Sequence, residues 1–161
     1  MLATQLPDTI ASFATATATC ADTFNANYSI KRPVAIMFIN GTEDKYVPFE
    51  GGILPLAPDQ NVWPTRKVVG NWVTMNGCSS EPEITELPDV ADDGTRITRE
   101  VFSGCEGDGE VVLYVVHGGG HTWPGGLQYQ PEQMIGRTSQ DMDASRVIWE
   151  FFERHPMPGA G

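Results

Sequence analysis

The alternation of apolar and polar positions divides this 161-residue chain into short, sharply bounded elements. Leu2 and Leu6 share a helical face and Pro7-Asp8 stops it, so residues 1–6 read as the end of a helix. Residues 10–19 alternate small and polar side chains in a β-tolerant run. After Pro33, the unbroken apolar series from Val34 to Ile39 suits a central parallel strand covered on both faces. Residues 48–58, rich in proline and glycine, read as a long surface loop. The spacing of Val68, Val69, Trp72 and Met75 predicts a helix over 64–76, with Pro64 in its first turn and Gly77 as its stop. Residues 81–93 are acidic and interrupted by proline, and 95–102 and 110–116 predict two strands that pair across the turn 104–109. Thr138-Ser139-Gln140-Asp141 is arranged like a capping box, so a final helix is expected from about 138 to 154, with Ala144, Val147, Ile148, Phe151 and Phe152 inward.

That order gives an α/β fold class, with apolar strands like those of one half of an α/β sheet. A half sheet leaves its innermost strand with an open edge, unless more chain, a second chain or a rearrangement covers it. The length suits one domain. A net charge of −11, from 21 acidic against 10 basic residues, repels phosphate backbones and anionic bilayers, so neither nucleic acid nor membrane is an expected partner. No run approaches the roughly 18 apolar residues of a membrane span, and the first residues lack the basic start of a secretory signal. The three cysteines, Cys20, Cys78 and Cys105, form no C-x-x-C pair. Cys78 and Cys105 stand at element ends where two loops meet, and the readings are a disulfide, which implies an oxidising compartment, or two separate buried thiols.

Candidate chemistry gathers after the two apolar strands. Val116-His117-Gly118-Gly119-Gly120-His121-Thr122-Trp123-Pro124 runs from a strand through glycines to His121, which places an imidazole on a close-approaching loop where catalytic bases commonly sit. Asn40-Gly41-Thr42-Glu43-Asp44 delivers a carboxylate in the same way, with Asp44 as the candidate acid and Glu43 as its alternative. The two loop tips are expected to converge, the acid gripping an imidazole nitrogen. Acid before histidine matches the late half of the Ser, Asp, His order of α/β-hydrolases. Tyr46 and Trp123 are the substrate-pocket candidates, and Trp123 reads equally as a residue that packs its loop. His117 and His121 have the spacing of a helical metal pair, but the intervening glycines disfavour a helix, and no metal site is expected. The acidic stretch 106–110 lacks the length and ligand count of a calcium loop and reads as a solvated turn. None of Ser12, Ser29, Ser79, Ser80, Ser103, Ser139 and Ser145 has the flanking glycines of a nucleophile elbow. A competing reading is a non-catalytic module binding polysaccharide or polyester on an aromatic surface of Trp63, Trp123 and Tyr129.

Taken together, Asn40 to Asp44 with Val47-Pro48-Phe49-Glu50-Gly51-Gly52, Trp72, Asn76-Gly77-Cys78, Cys105, Gly119 to Gly126, Asp143-Ala144 and Trp149, Phe151, Phe152 resemble the secreted polyhydroxybutyrate depolymerase and feruloyl esterase family of α/β-hydrolases. The resemblance implies a mostly parallel sheet with flanking helices. It implies serine ester hydrolysis without cofactor or metal, on a polyester or plant cell-wall ester, by a secreted protein whose signal peptide lies outside this chain. It also implies Asp44 as triad acid, His121 as general base, and a Cys78–Cys105 disulfide. Asn40 stands where the family usually has histidine. Residues 1–8 are similar to the helix that follows the family's serine elbow, so residues 1–161 are expected to be the C-terminal part of a catalytic domain. The first strands and the nucleophile would then lie upstream or on a second chain, and this polypeptide alone would be inert.

Overall fold

Two apolar runs form the middle of a five-stranded sheet. The computed structural model describes residues 6, 9–21 and 30–157. Among these, the elements run β1 (Ser12–Ala16), β2 (Ala35–Gly41), β3 (Gly52–Leu54), β4 (Ala57–Val62), α1 (Thr65–Met75), β5 (Glu83–Glu86), β6 (Arg96–Phe102), β7 (Val111–His117), α2 (Glu132–Ile135) and α3 (Ala144–Arg154). The sheet order is β1-β2-β7-β6-β5. β2 lies parallel to β7, with Ile36 opposite Val111 and Gly41 opposite Val116.

Alternate residues of this central pair feed two cores, which is why neither strand alternates in polarity. Ile36, Phe38, Val111, Leu113 and Val115 pack with Val68, Val69 and Trp72 of α1. Ala35, Met37, Ile39, Val112, Tyr114 and Val116 face Ala144 and Phe151 of α3. Truncating one of the larger of these side chains costs about 2–5 kcal/mol.

The sheet is mixed, not mostly parallel: β1–β2 and β2–β7 are parallel, whereas β7–β6 and β6–β5 are antiparallel. A parallel return needs a crossover of a dozen or more residues, and the link 103–110 is too short to carry one. The expected neighbours 95–102 and 110–116 do pair, as β6 and β7. β1 ends the sheet, and its outer side pairs with nothing among the described residues.

Further departures have local causes. Residues 48–58 are not all loop, because β3 and β4 form a separate two-stranded antiparallel sheet. Pro58 lies within the exposed part of β4, away from the bridge between Val62 and Ala21, where a missing N–H is tolerated. The acidic stretch 81–93 contains β5, a short and fully exposed edge strand. The last helix starts at Ala144, capped by Asp143 accepting from the Arg146 N–H at 3.1 Å. The polar residues expected to cap it are engaged elsewhere: the Ser139 and Thr95 hydroxyls share a hydrogen bond, and Asp141 accepts from the N–H groups of Val90 and Ala91. The helix expected over 1–6 lies outside the described residues, save Leu6.

α1 matches its expected span and ends in a Schellman motif, with Cys78 N–H donating to the Val73 carbonyl and Gly77 N–H to that of Thr74. Fully buried Asn76 then donates to the Val34 carbonyl and accepts from the Val34 N–H. A Cys78–Cys105 disulfide joins the same corner to the link between β6 and β7. Helix, central strand and hairpin are thus fixed together at the end of β7 from which the chain runs toward His117.

Candidate active site

The parallel pairing of β2 and β7 brings their C-terminal ends to one edge of the sheet, the edge at which open α/β sheets bind ligands. The turn after β2 and the loop after β7 are then knitted together. Thr42 N–H donates to the Val116 carbonyl at 3.0 Å, Glu43 N–H to that of Gly119 at 2.9 Å, and Gly118 N–H to the Thr42 hydroxyl at 2.9 Å. A Cβ on Gly41 would strike the backbone of Gly119 and Gly120, so glycine is what allows this approach.

The result brings Asp44 against His121. Asp44 Oδ2 lies 2.9 Å from His121 Nδ1, and its Oδ1 accepts from the N–H groups of Tyr46 and Val47, each at 2.8 Å. The carboxyl is 1 % exposed and the imidazole 30 %. With backbone donors already aimed at it, the carboxylate serves as acceptor, so Nδ1 carries the shared hydrogen and Nε2 presents its lone pair. Nε2 has no hydrogen-bond partner among the described residues. A buried carboxylate, a fixed imidazole orientation and an unengaged ring nitrogen are what general-base chemistry requires.

Tyr46 packs edge-on against the imidazole, with ring centroids 5.3 Å apart at 72°. Trp123 is 44 % exposed, and its indole N–H donates to Ser145 Oγ at 3.1 Å, which turns it toward α3. Glu43 is exposed and contributes its backbone to the loop, while Asp44 meets the imidazole. His117 bonds Thr98 through Nε2 at 2.7 Å, on the exposed end of β7. Trp63 lies half-buried against the α1 core beneath the Lys67 ammonium. Asn40 is buried and donates to the Ala18 carbonyl, tying the end of β2 to the chain that follows β1.

Several supporting groups carried no sequence signal. The Tyr129 hydroxyl donates to the His121 carbonyl at 2.8 Å, and the Ile135 and Arg137 carbonyls accept from the N–H groups of His121 and Gly120. Asp93 accepts from the Thr95 N–H and hydroxyl and from the Gln140 N–H. Partial burial pushes its carboxyl upward, but these hydrogen bonds outweigh it and hold the group below the ordinary aspartate range.

No family model matches the sequence. The chain is similar to NocK of Nocardia uniformis subsp. tsuyamanensis, a presumed esterase, at 27 % identity over 74 % of this chain and 37 % of that protein. It is 34 % identical to feruloyl esterase D of Neurospora crassa, over 76 % of this chain and 33 % of that protein. With feruloyl esterase B of Piromyces equi the identity is 29 %, over 56 % of this chain and 16 % of that protein. The chain therefore spans little more than a third of these relatives at most. Their names agree on carboxylic-ester hydrolysis, and none refers to polyhydroxybutyrate.

Proposed function

We propose that this chain supplies the acid and base of a secreted serine carboxylic-ester hydrolase. The observation that carries the reading is the contact between buried Asp44 and His121 Nδ1, which leaves Nε2 unoccupied. In the proposed reaction Nε2 takes the proton of a serine hydroxyl as its oxygen attacks the ester carbonyl. It returns that proton to the departing alcohol, and water then frees the acyl group by the same route. Asp44 holds the tautomer and steadies the imidazolium without accepting the proton. None of the described serines is hydrogen-bonded to Nε2, so the nucleophile in this reading comes from chain outside the described residues, upstream or in a second polypeptide. Of polyester and plant cell-wall esters, the names of two relatives favour feruloyl esters. The disulfide suits an oxidising, extracellular setting, and among the described residues no helix is long and apolar enough to cross a membrane.

The test is hydrolysis of a short 4-nitrophenyl ester. With the nucleophile-bearing segment present, His121→Ala is expected to lower kcat/KM by about 10³-fold or more, and residues 1–161 alone should give no turnover that depends on His121. Turnover by the isolated chain that His121→Ala abolishes would place the nucleophile within it. Insensitivity of the complete protein to His121→Ala would overturn the esterase reading.

A second reading, the non-catalytic module for polysaccharide or polyester, draws on the exposure of Trp123, Leu127 and Tyr129 near the histidine loop. It gives no reason for a buried carboxylate aimed at an imidazole. It expects affinity lost in Trp123→Ala and kept in Asp44→Asn.

A further inference from the structure

We infer that the stretch 131–137 is a clasp that sets the separation of Asp44 and His121, with Lys45 and Gly136 as its positioning residues. The catalytic meaning of that separation rests on the esterase reading, but the clasp itself is tested without it.

Asp44 and His121 share one hydrogen bond, and the bonds that knit the two loops stop at Glu43 and Gly119, short of both tips. The backbone of 131–137 holds the tips in register from both sides. Ile135 and Arg137 present carbonyls to the N–H groups of His121 and Gly120, at 2.6 and 2.9 Å. Arg137 also accepts from the Thr122 hydroxyl at 2.9 Å, so the residues before and after the imidazole are tied to the same short stretch. From the acid's side, the Lys45 ammonium, next in chain to Asp44, donates to the Gln133 carbonyl at 2.7 Å and lies 3.4 Å from that of Glu132. These carbonyls belong to the single turn of α2, and that of Glu132 also accepts from the Gly136 N–H.

Gly136 is where the three segments meet. Its φ is +81°, and a Cβ there would lie 2.5 Å from Gly120 Cα and 3.3 Å from the Glu43 carbonyl oxygen. The aspartate turn, the histidine loop and the clasp therefore touch backbone to backbone, with no side chain to spread them. Gln128 secures the clasp from outside, donating to the Gly136 carbonyl and accepting from the Thr138 N–H. A constellation must be held to within about 0.5 Å to act, and contact through main chain gives that tolerance.

The experiment follows the His121 Nδ1 proton by NMR in the 161-residue chain, measuring its exchange with water and thermal unfolding in the same samples. Lys45 is exposed, so Lys45→Met should fold. It is expected to raise the exchange rate on the order of tenfold, the scale of one charge-assisted hydrogen bond lost from a local opening. Lys45→Arg should restore the slow rate, and Gly136→Ala should abolish the signal. Reduction of the Cys78–Cys105 disulfide, at the opposite end of β7, is the structural control and should lower the melting temperature with the Nδ1 proton unmoved. Exchange unchanged in Lys45→Met, or raised equally by reduction, would overturn the clasp. If Gly136→Ala does not fold, Lys45→Met decides alone. Failure of the esterase reading looks different, because hydrolysis would then be insensitive to His121 while the proton still answered to Lys45.

Discussion

Gly41 and Gly119 touch through bare backbone, and this contact lets the end of one central strand pass beneath the loop leaving the other. An added Cβ at Gly41 would meet the carbonyl of Gly119 and the oxygen of Gly120. Gly41→Ala must therefore displace the histidine loop or the aspartate turn. The expected cost is about 1–3 kcal/mol of unfolding free energy, read by denaturant titration. In the esterase reading, activity should fall by more than the folded fraction does.

The disulfide makes a separable contribution. Closing the loop between Cys78 and Cys105, a separation of 27 residues, is worth about 3.5 kcal/mol in the chain-entropy account. Cys78→Ser with Cys105→Ser should lower the denaturant midpoint accordingly. The bridge ties the start of β7 whereas the imidazole follows its end, so the Asp44–His121 hydrogen bond should survive the change.

Asp93 predicts an acid limb of stability. Its folded pKa lies below the unfolded value, because the donors of Thr95 and Gln140 outweigh the burial that opposes them. The unfolded chain therefore binds the proton more readily. Stability from this group is fully present above the ordinary aspartate value of about 3.9 and is lost as pH falls through the depressed folded value. Melting temperatures recorded from neutral pH into that range should drop more for the native chain than for Asp93→Asn. Parallel curves would contradict the assignment.

Much of this arrangement was legible in the residues. The uninterrupted apolar runs of β2 and β7 announce strands covered on both faces. The helical spacing before Gly77 bounds α1, and the two loop tips that follow the central strands are the ones that carry Asp44 and His121. Strand direction was not legible, because it depends on the length of the link between strands rather than on the strands themselves. Pro55 and Pro58 hide the β3–β4 hairpin, whose exposed backbone there tolerates them. The start of α3 shifts because Ser139 and Asp141 are drawn to residues 89–95, a relation distant in sequence. The clasp works largely through carbonyls, which leave no mark in side-chain pattern.

Asp44→Asn separates the orientation of His121 for proton transfer from the support of its own turn. An asparagine oxygen can still accept from the Tyr46 and Val47 N–H groups, so the turn should persist and the melting temperature change little. The amide in place of the second oxygen presents a donor to Nδ1 and inverts the tautomer that frees Nε2. In the protein complete with its nucleophile, kcat on a 4-nitrophenyl ester should fall about ten-thousand-fold with KM nearly unchanged. A folded Asp44→Asn protein that keeps the native kcat would mean that Asp44 does not orient the imidazole for proton transfer.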